Sequence, residues 1–109
     1  MDKVEDQPDL LISFDVAVDG DQHATVTIAG ELDMSGIEPL ATQVQNVLDG
    51  GVTRLTVDVG AVRFADSSAI ALWVRWASVA REFELRDPPA LLRRVIVAMG
   101  LDDKLGMTS

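Results

Sequence analysis

The chain has 109 residues and a mass of 11.8 kDa; 48% of its residues are apolar, 25% are charged, and the net charge at pH 7 is −9. That length supports one domain around one core and excludes two ordinary ones, and no apolar run approaches the roughly 20 residues of a membrane helix. The absence of cysteine excludes disulfides, thiolate nucleophiles and cysteine-bound metals, and His23 is the lone histidine among carboxylates that lack calcium-loop spacing, so neither a metal nor a cofactor is expected.

Met1 to Asp9 is acidic and has neither the basic nor the apolar region of a secretory signal, so residues 1–9 read as a flexible tail and the chain as cytoplasmic. From Leu10 to Val18, Ile12, Phe14, Val16 and Val18 alternate with Ser13, Asp15 and Ala17, the two-residue period of a half-buried strand. Asp19-Gly20-Asp21 supplies a turn, and Ala24 to Leu32 resumes the alternation, which predicts an antiparallel hairpin. At Ser35 the period changes: Ile37, Leu40, Ala41, Val44, Val47 and Leu48 fall on one helical face, with Ser35 and Glu38 spaced as a capping box and Gly50-Gly51 past the end. Pro39 falls in the first turn, where a missing N–H costs least.

Leu55, Val57 and Val59 predict a third strand, parallel to the one before the helix because a βαβ crossover joins them. Val62 to Ala65 is a strand-like approach to Asp66-Ser67-Ser68, and a second helix is expected from about Ala69 to Arg81, apolar around most of its surface. Glu82 to Arg86 reads as a short strand that Asp87-Pro88-Pro89 breaks. Leu91, Leu92, Val95, Ile96 and Met99 then form the apolar face of a last helix closed by Gly100. The expected fold is a single α/β domain over residues 10–109, a small mixed four-stranded sheet packed against helices in the order ββαβαβα.

The chemistry concentrates at Asp66-Ser67-Ser68. Short polar residues between a strand and an apolar helix place serine hydroxyls where backbone N–H groups lack intrahelical partners, a position that suits a phosphate and equally suits an ordinary N-cap. Hydrolase chemistry would need a general base; His23, beside a polar turn, reads as a solvated side chain, and no glycine-rich phosphate loop is present. A phosphoryl group on Ser67 would add nearly two negative charges where a helix N-terminus tolerates them, beside Asp66 and on a surface able to dock a partner. Folding would survive while docking failed, which is what a reversible switch requires. Trp73 and Trp76, three apart on one face of the second helix, read as core, with an interface anchor as the alternative.

Charge is uneven: residues 1–50 hold eleven acids against Lys3 alone, whereas residues 51–109 hold seven acids against eight bases. No Lys/Arg stripe is available to neutralise nucleic-acid phosphates. A basic protein partner fits the acidity, which equally serves solubility.

Gly30-Glu31-Leu32-Asp33 before the first helix, Val62-Arg63-Phe64-Ala65-Asp66-Ser67-Ser68 opening the second, Pro88-Pro89 before the last and Met99-Gly100-Leu101 at its end, in the ββαβαβα order, resemble the STAS domain of bacterial anti-sigma factor antagonists over roughly residues 10–106. The resemblance implies partner switching rather than enzymatic activity. An unmodified antagonist binds an anti-sigma factor that is also a serine kinase and so frees a sigma factor; phosphorylation by that kinase ends the binding, and a separate serine phosphatase restores it. By position in the motif the acceptor is Ser67, flanked by Asp66 and Ser68, with Asp33 on the same docking surface. The family usually has glycine where this chain has Ala69, a methyl at the point where a partner approaches. The stretch from Asp66 to Pro88 is roughly six residues shorter than the family pattern, so the second helix must end early or the connection after it must be tight. An adaptor subunit of a lipid-exporting ABC-type transporter, its serine region on the transporter ATPase, is the alternative, and whether the domain forms a homodimer is left open.

Overall fold

The structure, a computed structural model, describes residues 12–32 and 36–108. The elements run β1 (Ile12–Val18), β2 (His23–Leu32), α1 (Ile37–Asp49), β3 (Arg54–Ala65), α2 (Ser67–Val79), β4 (Glu82–Arg86), α3 (Ala90–Ala98), α4 (Asp102–Leu105) and β5 (Met107–Thr108). They form one mixed sheet of order β1-β2-β3-β4-β5, in which the β1–β2 pair is antiparallel and the others are parallel. The expected hairpin and crossover are therefore present, but the sheet has five strands among the described residues where four were expected. Met107–Thr108 is too short to show a period, so β5 and the one-turn α4 left no pattern in the sequence. The acidic stretch 1–9 lies outside the described residues.

Strand alternation divides the sheet into two faces. Ala24, Val26 and Ile28 of β2, Leu55, Val57 and Val59 of β3 and Leu85 of β4 are buried on one face, where α1 packs on β1 and β2, and α2 on β3 and β4. Trp73 and Trp76 of α2 are buried in the same core, which is the core reading of that pair. At 150–250 Å² of surface each and about 25 cal/mol per Å², their burial is worth about 4–6 kcal/mol apiece before the cost of ordering.

The other face is polar. His23 Nε2 lies 2.8 Å from the Thr56 hydroxyl and its Nδ1 lies 3.4 Å from Asp19 Oδ2, so this half-buried ring is held by neighbours and is not the freely solvated side chain expected. Parallel pairing sets Thr56 beside Glu84, whose carboxylate accepts a 2.6 Å hydrogen bond from the Thr108 hydroxyl. That bond holds the Glu84 carboxyl below its ordinary range; partial burial opposes the shift and the Arg86 guanidinium adds to it. The short β5 is thereby fastened by a side chain as well as by its backbone. Gly106 leads into it with φ +53°, and a Cβ there would stand 2.7 Å from the Phe83 carbonyl oxygen, so this position requires glycine.

Three boundaries differ from expectation. β3 runs unbroken from Arg54 to Ala65, absorbing the approach to Asp66, because register shifts opposite Thr27/Ala29 and Gly30/Glu31 take up its extra residues. The α1 N-cap falls on Gly36 and not on Ser35, so Glu38 is one position too early for the expected capping box; Ser35 itself lies outside the described residues. α2 begins at Ser67, two residues before Ala69, and ends at Val79, leaving Ala80 and Arg81 as the whole link to β4. The Thr53 carbonyl, accepting from the N–H groups of Arg81 and Glu82, anchors this tight connection.

Candidate functional site

The site is built where β3 hands over to α2. Ala65 pairs with Leu32 at the end of the parallel ladder, and the Asp66 N–H donates to the Leu32 carbonyl at 3.2 Å, so Asp66 is fixed to the sheet. Its backbone is extended (φ −94°, ψ −175°), the geometry of an N-cap, and its Oδ1 accepts from the N–H of Ser68 at 3.0 Å and of Ala69 at 3.3 Å. Two of the four donors that a helix start leaves without partners are thus satisfied by one carboxylate.

Ser67 is the first residue of α2 and is exposed. Among the described residues its hydroxyl has no hydrogen-bond partner. The structure thus separates two roles that the sequence left merged: Asp66 caps the helix, and the Ser67 hydroxyl stays open to solvent. Ser68 is half-buried and contributes its N–H to the cap. Ala69 corrects an expectation. Its side chain is fully buried in the core cluster, so its methyl meets the protein interior and not an approaching partner; position 69 is the third of the helix, and the turn carries it inward. Asp33 lies outside the described residues. The structure therefore brings Asp66, Ser67 and Ser68 together, and places Ala69 beneath them.

A second feature adjoins this turn. Val62, Ala65 and Leu92 floor an apolar groove of about 270 Å³ between the end of β3 and α3, walled by Phe64, Leu91 and Val95. Phe64 is 54% exposed, Leu91 71% and Val95 41%. Leu91 and Val95 were expected on the core face of the last helix, yet the core takes only Leu92 and Ile96 from α3. A signal for this existed. Leu91, Val95 and Met99, four apart, form a second apolar row beside Leu92 and Ile96, wider than a nine-residue helix needs to bury. Among the described residues there is no cluster of groups able to hold a metal, and no helix is long and apolar enough to cross a membrane.

A protein-family model described as "Mlab, STAS domain" matches residues 16–108. The chain belongs to this STAS-domain family. An anti-sigma factor antagonist from Mycobacterium paratuberculosis superposes with TM-score 0.78 at 24% identity, covering 88% of this chain and 84% of its own. The anti-sigma factor antagonist SpoIIAA in its unphosphorylated form gives TM-score 0.76 at 20% identity, covering 89% of each chain. The phosphorylated form of the Bacillus cell fate determinant SpoIIAA gives 0.69 at 21%, covering 89% of this chain and 92% of its own. At these identities the solved structures establish the STAS fold. No curated protein matches the chain.

Proposed function

We propose that this STAS domain is an anti-sigma factor antagonist: it binds an anti-sigma factor serine kinase, so releasing a sigma factor, and loses that binding when Ser67 is phosphorylated. The observation that carries the reading is the exposed Ser67 hydroxyl at the first position of a helix whose cap is made by a different residue, Asp66. Modification of such a hydroxyl leaves the cap bonds intact. The phosphate adds about 1.5–2 negative charges at a helix N-terminus, where the backbone dipole stabilises anions, so the fold accepts it. For a partner, the same charge next to Asp66 is a new repulsive and strongly hydrated group in the interface.

ATP and the phosphoryl-transfer machinery belong to the kinase, and the phosphatase that resets the switch is a separate protein. Support comes also from the family membership and from the likeness to proteins described as anti-sigma factor antagonists, one of them in a phosphorylated form. Incubation with the anti-sigma kinase encoded in the same genome and ATP, followed by mass-spectrometric mapping, is expected to place one phosphate on Ser67 and none on the Ser67→Ala variant. Modification confined to other residues would overturn the assignment.

The family description names Mlab and no anti-sigma factor, which favours keeping a second reading, an adaptor subunit on the ATPase of a lipid ABC-type transporter. Co-purification decides between them, since one reading recovers a kinase and the other a transporter ATPase.

A further inference from the structure

The apolar groove beside Ser67 has a polarity of its own. Arg63 lines it on the β3 side, and Arg94, exposed, follows Leu91 by three residues and so neighbours it on the surface of α3. Among the described residues no carboxylate lines the groove. Arg63 is within 3.9 Å of Glu31, but both side chains are largely exposed (70% and 45%), and such a long surface pair holds a guanidinium only weakly. The apolar floor and walls therefore carry one guanidinium on their lining, Arg63, with Arg94 outside the lining on the exposed surface of α3, and the strand forming one side continues directly into Asp66 and Ser67.

From this we infer that the groove is the docking site for an acidic amphipathic helix of the protein partner, its apolar residues lying along Phe64, Leu91 and Val95 and its flanking carboxylates meeting Arg63 and Arg94. The inference rests on the reading of the chain as a partner-binding regulator and supplies the chemistry of the partner's contact. At about 270 Å³ the groove falls below the roughly 300–1,000 Å³ of small-molecule sites and suits side-chain anchors. Leu91 and Val95 present the four-residue spacing that packs against another helix. The net charge of −9 would favour a basic partner at long range. Within a Debye length of about 10 Å, however, Arg63 is, among the described residues, the one charged residue on the groove's lining, and both it and Arg94 lie in the half of the chain where bases outnumber acids. The same net charge opposes a second copy of the chain as the occupant.

The test uses the isotope-labelled full chain and two synthetic peptides of about 18 residues, or five helical turns. One carries leucines at helical spacing flanked by glutamates, and the other has lysine for each glutamate. The acidic peptide is expected to shift the amide resonances of Phe64, Leu91, Leu92 and Val95 and to bind at least about tenfold more tightly than the basic one. Arg63→Glu with Arg94→Glu should reverse that preference, and Leu91→Asp, whose exposed position spares the fold, should abolish binding of both. Equal binding of the two peptides, shifts confined to other surfaces, or no shifts at all would overturn the inference. Movement of the same resonances with rising protein concentration alone would assign the groove to a second copy and overturn it as well. Peptide binding is scored without a kinase, so failure of Ser67 phosphorylation and failure of the groove are separate results.

Discussion

Helices α2 and α3 both start just after a parallel strand, yet their first turns are built in opposite ways. α2 opens on Asp66, whose carboxylate takes two backbone N–H groups, and buries Ala69, Ile70, Trp73 and Trp76. α3 opens on Pro89 with no side-chain cap, buries Leu92 and Ile96, and leaves Leu91 and Val95 in solvent. The first is fixed twice, by its cap and by its aromatic core, which on the proposed reading lets it carry a charge on Ser67 without unfolding. The second leaves apolar side chains uncovered, the composition of a contact surface.

The largest test of this contrast is a pair of truncations. Trp73→Ala should lower the unfolding free energy by about 3–5 kcal/mol in urea denaturation, whereas Leu91→Ala should change it by less than about 0.5 kcal/mol. Comparable losses would mean that the Leu91 face of α3 shares the core role of Leu92 and Ile96 and would remove the contrast. Next in size is the cap. Asp66→Ala should cost about 1 kcal/mol, and Asp66→Asn, which keeps a side-chain oxygen for the Ser68 and Ala69 N–H groups, should restore most of it. A full loss in both variants would show that the carboxylate acts through its charge and not as the hydrogen-bond acceptor described.

The smallest expected effect concerns the polar face of the sheet. Glu84 is held below its ordinary carboxyl range by the Thr108 hydroxyl, so the folded state binds its proton less readily than the unfolded chain does. Its contribution is present above the unfolded value and fades as the pH falls through the lowered folded one. Urea midpoints of the native chain and Glu84→Gln should therefore differ most near neutrality and converge below about pH 4. A constant gap across that range would show that the Glu84–Thr108 clamp does not depend on charge.

Much of this arrangement was legible in residue order. Alternation in Ile12–Val18 and Leu55–Val59, the helical period from Ile37 to Leu48 and the breaker at Asp87-Pro88-Pro89 each report a burial pattern imposed over several residues, and burial is what periodicity records. Details resting on tertiary position were not legible. Local sequence shows the neighbouring Asp19 but not the Thr56 hydroxyl on the adjacent strand β3, 33 residues away, which helps to hold the His23 ring. Ala69 followed the position of a motif, whereas its burial follows from where the turn at Asp66 points the third helical residue. Leu91 and Val95 belong to an apolar arc whose excess width was legible, but which part of it stays outside is shown only by burial in the fold, where Leu92 and Ile96 enter the core and Leu91 and Val95 line the groove.

The central claim, that a charge on Ser67 ends docking while leaving the fold intact, is tested most directly by one titration. The anti-sigma kinase is titrated without ATP into the native chain and into Ser67→Glu, with urea unfolding of both recorded alongside. The account predicts equal stability within about 0.5 kcal/mol and a loss of affinity of at least about a hundredfold, as expected when a charge is forced into a docked interface. Equal affinity of the two chains would contradict it.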